Sequence, residues 1–171
     1  SMLGVIENAT NDVTDMLHRM RELAIQATND TNSDEDRAFL QLEVAQLKLE
    51  ITRVAEDTQY NGQEVLDGTF TSKSIQVGTE FGQTITFSVN GIKADAIGSK
   101  DENGITSTDV GGTARLDDVA SIDISDAAGA QAGLQVITDA IEQVAGDRAT
   151  YGALQNRLEY TVSNLMNVAE F

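Results

Sequence analysis

Apolar positions in the first part of the chain recur at alternating steps of three and four. Ile6, Ala9, Val13, Met16, Met20, Leu23 and Ala27 form the first such series. That spacing is the seam of a helix packed on other helices, and it predicts a helix from about Met2 to Thr28. The polar run Asn29-Asp30-Thr31-Asn32-Ser33 ends it. Ser33 suits the N-cap of a second helix, with Asp34, Glu35 and Asp36 in a first turn where the helix dipole favours negative charge. This second helix, about Asp34 to Asp57, carries two apolar stripes. Leu40, Val44, Leu47, Ile51 and Val54 form one; Ala38, Leu42, Ala45 and Leu49 form the other. Two stripes predict neighbours on two sides. Thr58-Gln59-Tyr60-Asn61-Gly62 is the stop, with Asn-Gly as its turn signal.

The period then changes. Ile75 and Val77 alternate, as do Ile85, Phe87 and Val89, with Gly78 to Gln83 between them. This predicts a β-hairpin with a loop longer than two residues. Ile122 and Ile124 suggest a third short extended piece. Residues Asn90 to about Asp118 are rich in Gly, Ser, Thr and Asp without periodicity, which predicts a loop-rich excursion at the far end of a rod. From Ala127 to Ala169 a heptad series returns through Ala130, Leu134, Ile137, Ile141, Val144, Arg148, Tyr151, Gln155, Leu158, Val162, Leu165 and Ala169. A helix of that span is about 65 Å long, enough to lie beside both shorter helices. Gly129, Gly133, Gly146 and Gly152 interrupt it, each costing up to about 1 kcal/mol against Ala. They are either tolerated by packing or let a neighbour approach closely.

The expected fold is mainly α with a small β-hairpin, an elongated antiparallel bundle of long helices. Residues 1–89 supply the N-terminal core helices and hairpin, 90–118 the excursion and 119–171 the C-terminal core helix, together one rod-like core. Ser1-Met2 resembles the scar of a cleaved tag, and Glu170-Phe171 shows no cap or turn. On that reading the chain is a trimmed core whose ends point into further helices.

Charge and composition narrow the chemistry. The 171 residues include 28 acidic and 11 basic side chains, a net charge of -17. Phosphate recognition needs clustered Lys and Arg, so nucleic acids and anionic membranes are poor partners. Cys is absent and His18 is the single histidine, which excludes disulfides, thiolate zinc, a Cys nucleophile and multi-His metal sites. No apolar run approaches the roughly 20 residues that span a bilayer. His18 misses the helical seam and reads as a solvent-facing residue, lacking the orienting partner a general base needs. Asp101-Glu102-Asn103-Gly104 places its glycine at the fourth position, where an EF-hand-type calcium loop needs it at the sixth. Gly111-Gly112 opens no helix and makes a poor phosphate loop. Asn8-Ala9-Thr10 and Asn29-Asp30-Thr31 match a short glycosylation pattern that is frequent by chance, and the Ser and Thr residues from Ser99 to Thr113 are candidates for modification. No enzyme, metal or cofactor site is expected; the architecture is that of a rod for side-by-side assembly.

Several motifs carry a family likeness. Leu17-His18-Arg19-Met20-Arg21-Glu22-Leu23-Ala24-Ile25-Gln26-Ala27 resembles the first core helix of bacterial flagellins. So do Gln41-Leu42-Glu43-Val44, Ile51-Thr52-Arg53-Val54-Ala55, Thr58-Gln59-Tyr60-Asn61-Gly62 and Leu66-Asp67-Gly68, in that order. Ile75-Gln76-Val77-Gly78 is similar to the family's hairpin entry, and Gly152-Ala153-Leu154-Gln155-Asn156-Arg157-Leu158 to its C-terminal core helix. The resemblance implies a structural, non-enzymatic subunit of the flagellar filament, a compact type with a short variable segment. It implies export through the flagellar channel to an extracellular filament, other flagellin subunits and an export chaperone as partners, and no cofactor. The terminal coiled-coil segments of the family would be missing, so this chain alone would be monomeric in dilute solution. It also implies recognition of the free subunit by Toll-like receptor 5. Arg19, Leu23, Gln26 and Glu43 match the family's receptor-binding pattern, and Ile137 its contributing apolar position on the last helix; His18 stands where the family often has Gln. The rival readings are a flagellar hook-associated or junction protein, which shares the terminal architecture, and a generic helical adaptor.

Overall fold

A computed structural model describes residues 1–77, 83–99 and 117–170, the last three as backbone only. Three long helices dominate: α1 at Met2–Ala27, α2 at Asp34–Asp57 and α3 at Ala127–Glu170. Their bounds lie within a residue of those the periodicity predicts. Ser33 caps α2 as its sequence position suggests: its hydroxyl accepts from Asp36 N, and the Asp36 carboxylate accepts from Ser33 N at 2.9 Å. The two bonds satisfy donors that a helix start otherwise leaves bare. Ser1 caps α1 in the simpler way, accepting from Gly4 N.

α2 turns back beside α1, so Arg19 lies opposite Glu43 and Arg37 opposite Ala27. α3 also runs antiparallel to α1, with Leu3 and Glu7 beside Ala145–Gln155. α1 is thus the shared partner: it packs on both other helices, which make little direct contact with each other. This explains why its buried face is wider than one seam. Thr10, Leu17 and Ala24 are buried in addition to the heptad residues, while Met16 is only half-buried. Each fully buried Leu or Ile here contributes about 1.5–3 kcal/mol relative to exposure.

The seam of α3 is shifted from the expected one. Its buried line runs Ala130, Gly133, Ile137, Ala140, Val144, Asp147 and Tyr151, with Leu134, Ile141 and Arg148 half-buried beside it. Leu134 and Ile141 flank the contact, where the smaller Gly133 and Ala140 occupy its floor. A Cβ added at Gly133 would stand 3.1 Å from Ile122 Cγ2, and one at Gly129 would collide with the Asp123 carbonyl. These two glycines do allow close approach, although what approaches is the segment entering α3. Gly146 and Gly152 have open space around them.

Two strand pairs are present. β1 at Gln59–Tyr60 pairs with β2 at Gln63–Glu64 around Asn61-Gly62. Both turn residues have positive φ, 53° and 77°, the geometry of a tight primed turn that Asn-Gly favours. The stop signal is therefore itself a small hairpin. β3 at Lys73–Gln76 pairs antiparallel with β4 at Thr84–Phe87, with Ile75 opposite Ile85; most of the loop expected between Gly78 and Gln83 lies outside the described residues. The expected third extended piece is not a strand. Val119–Ser121 is a 3-10 turn, and Ile122 and Ile124 are buried against the helices without strand pairing. Residues 90–99, expected to open the excursion, lie against the core: Ile92, Ala94 and Ile97 are buried, and Gly91 sits so close to Gly68 that a Cβ there would stand 2.9 Å from its nitrogen. Residues 100–116, including the acidic and Gly-Gly motifs and most of the Ser/Thr candidates, lie outside the described residues.

Candidate functional site

The five residues singled out by the sequence fall into two groups. Arg19, Gln26 and Glu43 are at the surface, where α1 and α2 run side by side. Arg19 and Gln26 are seven residues apart, two helical turns, so they share a face of α1. Leu23 lies between them in sequence but only 1% of it is exposed, and Ile137 is fully buried. The helical spacing fixes this division, since Leu23 belongs to the core seam.

The surface group is held together by charge. The Arg19 guanidinium grips Glu43 with two parallel bonds, Nε to Oε1 at 3.0 Å and Nη2 to Oε2 at 3.1 Å. Its Nη1 donates to Glu22 at 3.1 Å. Such fork geometry fixes orientation better than a single contact would. The hydrogen bond to Glu43 is the main reason that the Arg19 pKa is raised, with Glu22 adding to it. The result is a cation with a defined direction, flanked by two carboxylates, on an exposed helix pair. His18, the neighbour of Arg19, is exposed, as its off-seam position implies.

Three further residues, whose tethering roles have no signature in the sequence, anchor the surroundings. Arg37 is buried, and its Nε donates to Ala27 O at 2.8 Å while Nη2 donates to Asn29 O at 3.1 Å, closing the end of α1. Lys48 Nζ donates to Ala120 O at 3.0 Å and also to Ile122 O. Partial burial pushes the Lys48 ammonium below its ordinary pKa, against the pull of Asp123 and Asp118. Gln41 accepts from Ile124 N at 2.9 Å. Lys48 and Gln41 thus tether the segment that leads into α3. Their partners are backbone atoms distant in sequence, which no local pattern signals.

Among the described residues no cluster of His, Cys, Asp and Glu could hold a metal ion, and no helix is long and apolar enough to cross a membrane. A shallow groove between α1 and α3, lined by Leu3, Glu7, Ala145, Arg148, Ala149 and Gly152 among others, has a volume of about 340 Å³. It holds no nucleophile–base pair of the kind acyl or phosphoryl transfer requires.

The family model for the bacterial flagellin N-terminal helical region matches residues 1–71. A flagellin of Halalkalibacterium halodurans is 35% identical over 170 residues, which is 99% of this chain and 56% of the relative. The chain therefore spans little more than half of that relative's length. The crystal structure of Bacillus cereus flagellin superposes with a TM-score of 0.72 at 29% identity, over 96% of this chain and 84% of the other. A Vibrio parahaemolyticus protein described as flagellar hook-associated superposes with a TM-score of 0.69 at 18% identity, over 99% and 81% of the two chains, a likeness of fold alone. Sequence likeness along almost the whole chain, joined to this helical architecture, makes the chain a member of the bacterial flagellin family.

Proposed function

We infer that this chain is the core of a structural subunit of the bacterial flagellar filament. The observation that carries the reading is the 35% identity to a flagellin across 99% of the chain. The hook-associated rival shares the fold at only 18% identity. On this reading the protein acts by packing and recognition without catalytic turnover, and the parent protein is exported to an extracellular filament. Polymerisation of the full-length protein alone into long filaments, seen by electron microscopy, is the expected outcome; capping of pre-formed filaments without self-assembly would favour the rival.

The free subunit has a second role on the same reading, recognition by Toll-like receptor 5. What supports it is the directed Arg19 cation, held by Glu43 and Glu22 on an exposed helix pair with Gln26 on the same face. Leu23 and Ile137, both buried, act as positioning residues by keeping α1 and α3 in place behind that surface. Binding of this chain to the receptor ectodomain should weaken about tenfold or more in Arg19→Ala, the loss typical of an interface hot spot. Glu43→Gln should weaken it less, because the remaining amide oxygen still accepts from Arg19. An absence of binding by the unaltered chain removes the receptor role and leaves the filament role standing.

A further inference from the structure

The chain holds Asn-Gly pairs at Asn61-Gly62, Asn90-Gly91 and Asn103-Gly104. The last lies outside the described residues; the structure places the other two in opposite surroundings. An asparagine before glycine is chemically labile. The backbone nitrogen of the glycine can attack the side-chain amide carbon, since no Cβ on the glycine stands in the way. The reaction needs an amide side chain able to swing onto that nitrogen, open space around it, and water. Asn61 and Gly62 meet all three conditions. Both are exposed. Among the described residues no hydrogen bond engages the Asn61 side chain or the Gly62 nitrogen. A Cβ built at Gly62 meets nothing within 4 Å. The pair also joins strands of only two residues each, and so short a hairpin opens locally at little cost.

Asn90 and Gly91 meet none of them. The Asn90 amide donates to Asp147 Oδ1 at 2.9 Å, and Asp147 is only 9% exposed. Gly91 is buried, with the backbone of Gly68 packed against it. Swinging the Asn90 amide onto the Gly91 nitrogen would break its bond to Asp147 where water scarcely reaches. The product would also set a second carboxylate beside Asp147, and two carboxylates sharing one site resist ionising together.

We propose that Asn61 is a self-modification site of this chain, and that Asp147 holds Asn90, in the same dipeptide, in its amide form. The Gly62 nitrogen bonds to Asn61 Cγ and gives up its proton. The bond from Cγ to the side-chain nitrogen breaks, and ammonia leaves with that proton. Water, the one co-reactant, then opens the cyclic imide at either carbonyl. One opening gives aspartate at position 61. The other gives isoaspartate, in which the main chain runs through the former side chain and is one carbon longer. That carbon falls in the two-residue turn that sets the pairing of Tyr60 with Gln63. Beyond it, Val65 N donates to Thr58 O at 3.2 Å and ties the end of α2 to a buried residue. The isoaspartate form therefore slackens the end of α2, whereas the aspartate form adds only a surface charge. The proposal is independent of the filament reading; on that reading, the isoaspartate content of a subunit rises with its age in the filament.

Trypsin puts each Asn-Gly pair on its own peptide, because Arg53, Lys73, Lys93, Lys100 and Arg115 separate them. The intact chain is incubated at mildly alkaline pH, folded or in urea, and each peptide is followed by mass spectrometry and isoaspartate labelling. In the folded chain Asn61 should convert severalfold faster than Asn90. In urea the two rates should converge, since each asparagine then precedes an unhindered glycine. Asp147→Ala, with folding checked by circular dichroism, should speed conversion at Asn90 and leave Asn61 unchanged. In the aged isoaspartate fraction the Val65 amide should exchange hydrogen faster than in Asn61→Asp. Equal rates in the folded chain, a faster Asn90, or a folded Asn61 that stays intact while the urea sample converts overturns the proposal. An Asn90 rate unmoved in a folded Asp147→Ala variant overturns the role given to Asp147; if that variant does not fold, the comparison of folded chain with urea decides.

Discussion

A buried guanidinium in the first turn of a helix is unfavourable on two counts, desolvation and the positive end of the helix dipole. Arg37 is held there because it donates to Ala27 O, an end-of-helix carbonyl for which it is the donor, and to Asn29 O, which also accepts from Asn32. The cation also complements the negative end of the α1 dipole. Arg37→Ala should cost about 1–3 kcal/mol, the penalty for leaving the Ala27 acceptor bare, read as a lower urea midpoint. Arg37→Lys should recover only part, because an ammonium lacks the planar fork that reaches both oxygens. The sequence hides this residue. Its partners are backbone atoms 10 and 8 positions away across a turn, and a lone Arg in a polar N-terminal turn reads as solvated. The apolar seam residues, by contrast, are legible because each repeats at the helical period. Arg19 and Glu43 are legible only through the family likeness; that they grip each other follows from the register of α1 and α2.

At the scale of elements, caps and small residues decide more than apolar periodicity does. The bounds of the helices are legible because Ser33 with the acidic turn after it, and Asn61-Gly62, are strong local signals. The face of α3 reads one position off in part, since a heptad search rewards Leu134 and Ile141 where the contact is built on Gly133 and Ala140. Ile122 and Ile124 read as an extended piece because alternation alone does not separate a strand from a connector pinned by Gln41 and Lys48. The α2 cap gives a test. Ser33→Ala should lower stability by about 1 kcal/mol. The cap also has a pH signature: the Ser33 backbone N–H, and then its hydroxyl, hold the Asp36 carboxyl below its ordinary value of 3.8. Hydrogen bonds from Arg53 do the same for Glu50, and those from Ser125 for Asp123. A carboxyl lowered in the folded state contributes fully above its unfolded value and loses that contribution as pH falls through the folded value. Glu64, raised through its hydrogen bond with Asp67, works in the opposite sense and favours the folded state on acidification. Its partner Asp67 is itself lowered, so four lowered groups against one raised predict that the urea midpoint falls as pH drops below about 4. The slope should be shallower in Ser33→Ala.

For the molecule as a whole, the decisive feature is that α1 packs on both other helices while α2 meets α3 mainly through a tethered connector. Fold class and chain order are legible from sequence, but this arrangement is not, because two stripes on α2 predict neighbours on two sides without saying which side the rest of the chain covers. One of those stripes faces outward, with Leu42 and Leu49 exposed. The arrangement grades the stability of the parts. Opening α2 would break its contact with α1 and the tethers from Gln41 and Lys48, and would leave the α1–α3 pair whole. Hydrogen exchange should register this as a ladder of protection, with α2 amides exchanging through a smaller opening than those of α1 and of α3 between Ala130 and Tyr151. Lys48→Met should lower that rung selectively. A chain built this way carries a hinged outer leaf on a firm two-helix spine, so heat or mechanical load would lift the leaf before the spine gives way.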